Sequence, residues 1–242
     1  MFGFGRHTLP DGFFRGACDV HCHLLPAVDD GFKSVGASLH ALQVLEAHGV
    51  EKMILTPHFM KDYPDNDRAS ISEKFEAFRD TAAQVSKIEL RLAAEYMLDA
   101  CFLAHHRQGL LALDQGAHVL CETSYMMHEP GVPEMIYEVM CDGIQPVLAH
   151  PERYEYADRG HYARWKDKRY KFQLNLLSLA GVYGKVAEAK AHELLNQDYY
   201  DYVGSDMHGL GNFERFLPGL RLKAKEIDKL ARLLENNKAL FR

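Results

Sequence analysis

The chain has 242 residues, of which 47% are hydrophobic and 26% are charged, and its formal net charge at pH 7 is −6. A chain of this size can bury a substantial core, so we predict one domain spanning residues 1–242. The negative charge argues against a general nucleic-acid surface, and no apolar run approaches the roughly 18 residues that a membrane span needs.

Seven short apolar runs bounded by turn residues predict β-strands. In chain order they cover residues 17–21, 53–56, 90–95, 118–122, 145–149, 171–175 and 202–205. Segments with helical periodicity lie between them or follow them, at residues 34–48, 70–86, 133–141, 185–196 and 218–236. This alternation predicts an α/β fold of parallel strands joined by crossovers, and seven strands predict an incomplete or distorted barrel.

Every predicted strand carries polar residues at its carboxyl-terminal end. In the first strand, residues two apart point to the same face, so His21 and His23 can reach one cation. Glu95 and Glu122 follow apolar runs, where a cation would remove the cost of burying an unpaired carboxylate. Because the strand ends of a barrel meet at one mouth, we predict that these end residues converge: His21, His23, His58, Glu95, Glu122, His150, Asn175, Asp206 and His208.

The mixture of histidines and carboxylates suits borderline to hard divalent ions such as manganese, iron or zinc. The absence of a cysteine ligand cluster disfavours structural zinc. This many ligands would over-supply one ion, so two or three ions that share carboxylates fit better. Such a cluster lowers the pKa of a bridging water and clamps the oxygens of a phosphoryl group.

Six motifs between residues 17 and 213 together carry a family resemblance. They read DVHCHLLPAVDDG from residue 19, TPH from residue 56, AE from residue 94, LCE from residue 120, LAHPERY from residue 148 and SDMH from residue 205. In these motifs the chain resembles the polymerase-and-histidinol-phosphatase (PHP) superfamily. It is most similar to the manganese-dependent protein-tyrosine phosphatases encoded with capsular and exopolysaccharide synthesis genes.

The resemblance implies a distorted (β/α)7 TIM-like barrel of PHP type, with manganese as the first candidate cofactor and three metal ions. Matching positions assign the first ion to His21, His23, Glu95 and Asp206. Glu95 would bridge to a second ion held by Glu122 and His150, and a third would be held by Asp30, His58 and His208. Asp29 adjoins Asp30, and the sequence leaves the choice between these two carboxylates open.

Arg153 follows His150 by three residues, so its side chain can turn back over the mouth and meet a phosphate with a bidentate fork. A surface salt bridge with Glu152 or Glu155 is the alternative. The resemblance also predicts a second phosphate-binding arginine after the Asp-x-His motif. Arg215 stands in that region without aligning to it, so its role is left open. Together with the strand-end residues Asp206 and His208, Arg153 is predicted to be catalytic.

Two aromatic groups follow strand-end residues and would overhang the same mouth. One comprises Tyr125 to His128 and the other comprises Tyr154 and Tyr156. We predict that Tyr125 and Tyr154 flank the ring of a phosphotyrosine. Packing of these loops against the barrel rim is the alternative.

The mechanism that these residues and the resemblance imply is hydrolysis of a phosphomonoester by a metal-bridged hydroxide, without a phospho-enzyme. A phenolate, with a pKa near 10, asks less of a general acid than an alkoxide. The resemblance predicts the tyrosine-rich tail of a bacterial tyrosine kinase as substrate. The alternatives are a small-molecule phosphatase acting on histidinol phosphate or a nucleotide, and a PHP module that binds without catalysis. The oligomeric state is left open.

Cys101 and Arg107 satisfy the Cys-x5-Arg spacing of phosphatases that use a thiolate nucleophile. The residues between them include no glycine and look helical, so their amides cannot readily cradle a phosphate. All five cysteines are interpreted as reduced packing residues, because they form an odd set without zinc-knuckle spacing. Reduced cysteines, together with the lack of a stretch that resembles a signal peptide, predict a cytoplasmic protein.

Overall fold

The structure, a computed structural model, describes residues 5–127 and 129–241. Within these ranges the strands are β1 (Arg6–His7), β2 (Ala17–Cys22), β3 (Val50–Leu55), β4 (His58–Phe59), β5 (Glu89–Leu92), β6 (Glu95–Met97), β7 (His118–Glu122), β8 (Gln145–Ala149), β9 (Lys171–Asn175), β10 (Tyr202–Gly204) and β11 (Leu222–Lys223). The helices are α1 (Val35–Ala47), α2 (Arg68–Ala82), α3 (Phe102–Gln108), α4 (Val132–Cys141), α5 (Arg159–Asp167), α6 (Gly184–Asn196), α7 (Leu210–Phe216) and α8 (Ala224–Leu240).

Two parallel sheets make up the wall of the barrel. One has the strand order β10-β9-β8-β7-β6-β4, and the other has the order β2-β3-β5. The chain passes from β3 directly into β4 and from β5 directly into β6, so these pairs each fill one position in the wall. Pro57 has no amide hydrogen and interrupts the ladder, but its carbonyl still accepts a hydrogen bond from the Glu95 amide at 3.1 Å. The two sheets are therefore two parts of one curved surface.

The first and last strands of the wall meet at their carboxyl-terminal ends. The Asp206 amide donates to the His21 carbonyl at 2.8 Å, and the His23 amide donates to the Met207 carbonyl at 3.0 Å. Gly204 makes this approach feasible, since a Cβ there would lie 2.5 Å from the His21 Cβ. Seven strand positions thus curl round into a distorted barrel, and the predicted fold class is confirmed.

The apolar core has an inner and an outer part. Inside the barrel, alternate strand residues such as Val20, Ile54 and Leu120 pack together, and Leu240 and Phe241 from the end of α8 join them. The larger outer part lies between the strands and the surrounding helices. This arrangement places the end of α8 away from the mouth and leaves the carboxyl-terminal strand ends to form the site.

Six of the predicted strands are present with shifts at their ends, and the seventh, at residues 90–95, is divided between β5 and β6. The helices were predicted less completely. The first helix has Ser34 as its N-cap, whose hydroxyl accepts from the Ala37 amide at 3.3 Å. The last helix begins at Ala224 instead of residue 218, because a 3-10 turn and strand β11, which pairs with β1, come first. Helices α5 and α7 were not predicted.

Among the helices in residues 5–127 and 129–241, none is both long and apolar enough to cross a bilayer.

Candidate metal centre

Most candidate ligands lie at or just beyond the carboxyl-terminal ends of the wall strands. His58 and Glu95 begin the short strands β4 and β6, which continue β3 and β5, and Asp30 and His208 stand in loops. Most are fully buried, but the Asp30 side chain is 57% exposed and that of His208 is 31% exposed. His150 and Asp206 adopt left-handed backbone conformations, with φ of 34° and 50°. Non-glycine residues seldom adopt this conformation, and where they do the strain commonly marks a functional site.

The first group of ligand atoms comes from β2, β6 and the end of β10. Nε2 of His21 lies 3.2 Å from Nε2 of His23. Glu95 Oε2 is 3.2 Å from the first of these nitrogens and 3.3 Å from the second. Asp206 Oδ1 is 3.3 Å and 3.4 Å from the same two atoms. Four potential ligand atoms therefore face one another at separations that suit a shared cation.

The second group surrounds Glu95, whose two carboxylate oxygens face different partners. Oε1 lies 2.9 Å from His150 Nε2, and Oε2 lies 3.2 Å from His58 Nδ1. Glu122 Oε1 is 3.1 Å from the same His58 nitrogen. Among the described residues, His58 Nδ1, Glu95 Oε2 and Glu122 Oε1 are buried atoms that lack a hydrogen bond of acceptable geometry. Polar atoms that crowd together without hydrogen bonding are what a cation would satisfy.

The third group is the one nearest to solvent. Asp30 Oδ1 lies 3.4 Å from His58 Nε2 and 3.4 Å from His208 Nε2. His23 stacks on His208, with their ring centroids 3.9 Å apart. His58 thus presents one nitrogen to this group and the other to Glu95 and Glu122.

Asp29 is not one of the converging ligands but hydrogen-bonds to two residues that are, His23 and His58. Its Oδ2 accepts from His23 Nδ1 at 2.8 Å and from the His58 amide at 3.0 Å. Its Oδ1 accepts from the Gly31 amide at 2.9 Å. Gly31 itself packs so closely that a Cβ would lie 2.2 Å from the His23 carbonyl oxygen. The geometry thus favours Asp30 as the ligand and Asp29 as the residue that orients His23.

Gln173 is a functional residue that the sequence reasoning missed. Its Oε1 lies 2.8 Å from His21 Nδ1 and can only accept, so the histidine nitrogen donates and Nε2 is left to face the cluster. His208 is oriented similarly, because its Nδ1 donates to the Asp206 carbonyl at 3.0 Å. The sequence contained one signal for this role: Gln173 is a polar residue in the middle of an apolar strand, two residues before Asn175 and therefore on the same face.

The charges in the cluster shift the pKa of its members strongly. Burial alone would lower the pKa of His21, but the carboxylates of Glu95 and Asp206 outweigh burial and raise it to about 9. Burial opposes ionisation of Asp206, yet the positive charge on His21 and the hydrogen bond from His23 hold its pKa well below the usual range. Without metal, protonated histidines balance the carboxylates, and a divalent cation would displace those protons.

Arg153 faces the cluster and not the solvent. Its Nη1 donates to Asp206 Oδ2 at 2.7 Å, and Asn175 Nδ2 donates to the same oxygen at 2.7 Å. The alternative salt bridges with Glu152 or Glu155 do not form, as Glu152 instead accepts from the Tyr200 hydroxyl at 2.8 Å and from the Asn175 amide.

A pocket of about 680 Å³ opens beside Arg153. Asp30, Asp206 and His208 line it, and so does Arg215 from α7. A second pocket of about 310 Å³ shares Asp30, Arg153, Asp206 and His208 with the first. The mouth therefore brings two arginines and the candidate ligands around one space large enough for a phosphate.

Of the aromatic residues predicted to flank a substrate ring, Tyr125 lies at the site and Tyr154 does not. The Tyr125 hydroxyl donates to Glu122 Oε2 at 2.9 Å. Tyr154 is fully buried, and its hydroxyl donates to the Ala149 carbonyl at 2.8 Å. Its predicted contact with substrate is wrong, because the ring packs into the core beneath the loop. His128 lies outside the described residues, and Tyr183, which was not predicted, lines the pocket.

Cys101 does not sit in a phosphate-binding loop. It immediately precedes α3, and the intervening residues up to Arg107 belong to that helix. The amides of Ala104 and His105 donate to the Cys101 carbonyl. These groups are unavailable to a phosphate, so the geometry gives no support to a thiolate nucleophile.

Comparison with protein families gives one match that spans most of the chain. The model of the family described as capsular polysaccharide synthesis, CpsB/CapC, matches residues 17–232. The tyrosine-protein phosphatase YwqE of Bacillus subtilis is 27% identical in an alignment of 209 residues that covers 79% of this chain and 77% of YwqE. The tyrosine-protein phosphatase CpsB of Streptococcus pneumoniae is 27% identical over 206 residues, covering 79% and 83% of the two chains.

Solved structures show the same fold. A crystal structure from work on YwqE of Bacillus subtilis and CpsB of Streptococcus pneumoniae, described as metal-dependent tyrosine phosphatases, superposes with a TM-score of 0.79. The identity is 22%, and 93% of this chain and 94% of the other are covered. The phosphotriesterase homology protein of Escherichia coli is more distant, with a TM-score of 0.56, 14% identity and coverage of 95% and 99%.

Proposed function

The chain belongs to the CpsB/CapC family of capsular polysaccharide synthesis, and from this premise we propose that it is a metal-dependent protein-tyrosine phosphatase. The observation that carries the proposal is the convergence of histidines and carboxylates around buried atoms without hydrogen bonds, beside an arginine in a phosphate-sized pocket. The relatives named as tyrosine-protein phosphatases support the choice of substrate.

The residues present fit two or three divalent ions. His21, His23, Glu95 and Asp206 would hold one, and Glu95 would bridge to another held with Glu122 and His150. Asp30, His58 and His208 would hold the most exposed ion. The nitrogen and oxygen donors suit manganese, iron or zinc, and the family resemblance favours manganese among them. When bound, such ions supply a nucleophile at neutral pH by lowering the pKa of water, and they neutralise charge on phosphoryl oxygens.

The chain's own residues bind and orient the phosphate. Arg153 offers planar N–H donors to two phosphate oxygens from the wall that it shares with Asp206. Arg215, an exposed residue that lines the same pocket, offers a second positive charge, and we propose that it takes the place of the second phosphate-binding arginine. Asn175 holds Asp206 Oδ2, which keeps Oδ1 turned toward the histidines. The phenolate leaving group, with a pKa of about 10, needs little help from an acid.

We further propose the tyrosine-rich tail of a bacterial tyrosine kinase as the substrate, in the cytoplasm. The family's description as capsular polysaccharide synthesis supports a role in that process. The five cysteines carry free thiols, which suits a reducing compartment. A kinase whose tail tyrosines are replaced by phenylalanine should neither be captured by a turnover-deficient variant nor yield phosphate.

The test of the proposed reaction is phosphate release from a phosphotyrosine peptide and from histidinol phosphate. Metal-stripped protein restored with manganese is compared with its His21→Ala and Cys101→Ser variants. We expect peptide-preferring turnover that Cys101→Ser retains and His21→Ala loses. Loss of turnover with Cys101→Ser would establish the thiolate mechanism instead. Preference for histidinol phosphate would establish a small-molecule phosphatase, and binding without turnover would establish a non-catalytic module.

A further inference from the structure

The guanidinium of Arg153 lies between two tyrosine rings. Its Cζ is 4.5 Å from the ring centroid of Tyr125 and 4.2 Å from that of Tyr183. The two rings come from different parts of the barrel, since Tyr125 follows β7 and Tyr183 immediately precedes α6. Both separations are within the range of a favourable cation–π contact.

Hydrogen bonds join Tyr125 and Arg153 to candidate ligands of the metal cluster. The Tyr125 hydroxyl donates to Glu122 Oε2, and Arg153 donates to Asp206 Oδ2, which also accepts from Asn175. Tyr183 joins this arrangement through its ring contact with Arg153. The rings, the arginine and the candidate ligands therefore form one connected arrangement.

These two ring contacts restrict the ways in which the guanidinium can meet a ligand. One of its nitrogens donates to Asp206, and the rings of Tyr125 and Tyr183 both lie within contact distance of its Cζ. Arg153 and Tyr183 both line the 680 Å³ pocket, so the remaining N–H groups can meet a ligand there in the guanidinium plane. In-plane donors match two oxygens of a phosphate monoester, and restricting the side chain beforehand reduces the entropy lost on binding.

We propose that Tyr183 is a positioning residue that clamps Arg153 against Tyr125 and so holds the arginine ready for the phosphate of the substrate. The assignment rests on the proposed function for its substrate, a phosphate monoester. Tyr183 acts through Arg153, and the aromatic ring of Tyr183, more than its hydroxyl, carries the effect.

The experiment compares Tyr183→Leu and Tyr183→Phe in the manganese-loaded protein. Tyr137→Leu is the matched control, because Tyr137 is a 68% exposed tyrosine on α4. The readouts are the Kd for inorganic phosphate by calorimetry, the metal content, and KM and kcat for a phosphotyrosine peptide. We expect Tyr183→Leu to weaken phosphate binding and raise KM by about five- to tenfold, with metal content unchanged and kcat altered less than KM.

Restoration by the conservative variant distinguishes the ring from the hydroxyl. Tyr183→Phe should recover most of the affinity for phosphate, and Tyr137→Leu should match the unmodified protein. Equal phosphate affinity in Tyr183→Leu and the unmodified protein would overturn the proposal. Equal damage in Tyr183→Phe and Tyr183→Leu, or loss of bound metal, would also overturn it by showing a role for the hydroxyl or for the architecture of the site.

Failure of the proposed function would be seen separately. In that case the unmodified protein would release no phosphate from any phosphomonoester. The calorimetric comparison of phosphate affinity would still show whether Tyr183 positions Arg153. An unmodified, metal-loaded protein that does not bind phosphate at all would contradict both.

Discussion

Glu95 is the residue on which the candidate metal centre depends most, because its two buried oxygens face four histidines that come from three parts of the barrel wall. An amide in its place keeps the shape of the side chain but removes the charge and one acceptor. The histidines that it faces would then have no bridging carboxylate. The effect should therefore appear in metal content as well as in turnover.

We expect Glu95→Gln to retain the fold and to lower both bound metal and phosphatase turnover, with turnover reduced about 100-fold or more. Elemental analysis of the reconstituted protein and phosphate release from a phosphotyrosine peptide provide the measurements. Glu89→Gln is the control, since Glu89 is exposed and pairs with Lys52 at 3.6 Å, away from the cluster. A Glu95→Gln protein with full metal content and turnover would contradict a bridging role.

Metal binding should release protons, and its affinity should rise with pH up to about 9. The metal-free protein holds His21 with a pKa of about 9, so the ion must displace a proton at neutral pH. Calorimetry at pH 7 in buffers of different ionisation enthalpy should detect this release, and His21→Ala should reduce it. A manganese affinity that does not change between pH 6.5 and 8.5 would contradict this view, because both values lie below the pKa of His21 in the metal-free protein, where binding must displace its proton.

The same shift has a consequence for stability without metal. The folded-state pKa of His21 is raised above the ordinary value of about 6.5, so protonated His21 stabilises the folded protein. Its contribution to the free energy of unfolding is complete below about pH 6.5 and is lost as the pH rises through about 9. Added manganese should remove this dependence by replacing the proton.

At the residue scale, the sequence predicted the members of the cluster better than their surroundings. Strand-end position and residue chemistry were enough to select His21, Glu95 and Asp206. The roles of Gln173 and Tyr183 depend on contacts between distant segments, which local patterns do not record. Tyr154 was misassigned because whether a ring after a strand packs inward or overhangs the mouth is decided by tertiary packing.

At the scale of elements, closure of the barrel depends on the close approach of β10 to β2. A Cβ at Gly204 would lie 2.5 Å from the His21 Cβ and 3.0 Å from Gln173 Nε2. We expect Gly204→Ala to lower the free energy of unfolding by about 3 kcal/mol, because neither strand can move without disturbing the core. Urea unfolding of the metal-free protein measures the change.

Gly36→Ala is the matched control for this substitution. Gly36 lies exposed in α1, and a Cβ there would meet nothing within 4 Å. This variant should be stabilised by about 0.5–1 kcal/mol through helix propensity. Equal responses of the two glycine variants would show that the contact between β10 and β2 tolerates a methyl group.

Asn237 connects α8 to the two strands that close the barrel. Its Nδ2 donates to the Cys18 carbonyl at 2.8 Å and to the Val203 carbonyl at 2.6 Å, and its Oδ1 accepts from the Val203 amide at 3.1 Å. We expect Asn237→Leu to destabilise the protein by about 2–5 kcal/mol, since buried backbone groups lose their partners. Asn236→Leu, at an exposed neighbouring position, should cost less than about 1 kcal/mol. Urea unfolding that gives similar values for both would contradict this role.

The strands were predictable because each buried run is short, apolar and bounded by turns. Helix α5 was missed because basic and other polar residues dominate its sequence, which gives only a weak apolar stripe. The start of α8 was placed too early because Pro218 resembles a first-turn proline. In the structure Pro218 belongs to a separate 3-10 turn, and the true start has Glu226 Oε2 accepting from the Lys223 amide at 2.8 Å.

At the scale of the whole molecule, the barrel brings together residues that are far apart in sequence. His21 and Asp206 lie 3.3 Å from each other although they stand near opposite ends of the chain. Parallel alternation and the convergence of strand ends at one mouth predicted this meeting. The division of the wall into two sheets was not predictable, because it depends on how the ladder bends around Pro57.

Whether the chain is a metal-dependent phosphatase is decided by titrating the metal-free protein with manganese while phosphate release from a phosphotyrosine peptide is followed. We expect no turnover without metal and a rise to a plateau at about two to three ions per chain, because the donor set of the site suits that number. Full turnover in the presence of a strong chelator, or none at any metal loading, would contradict this expectation.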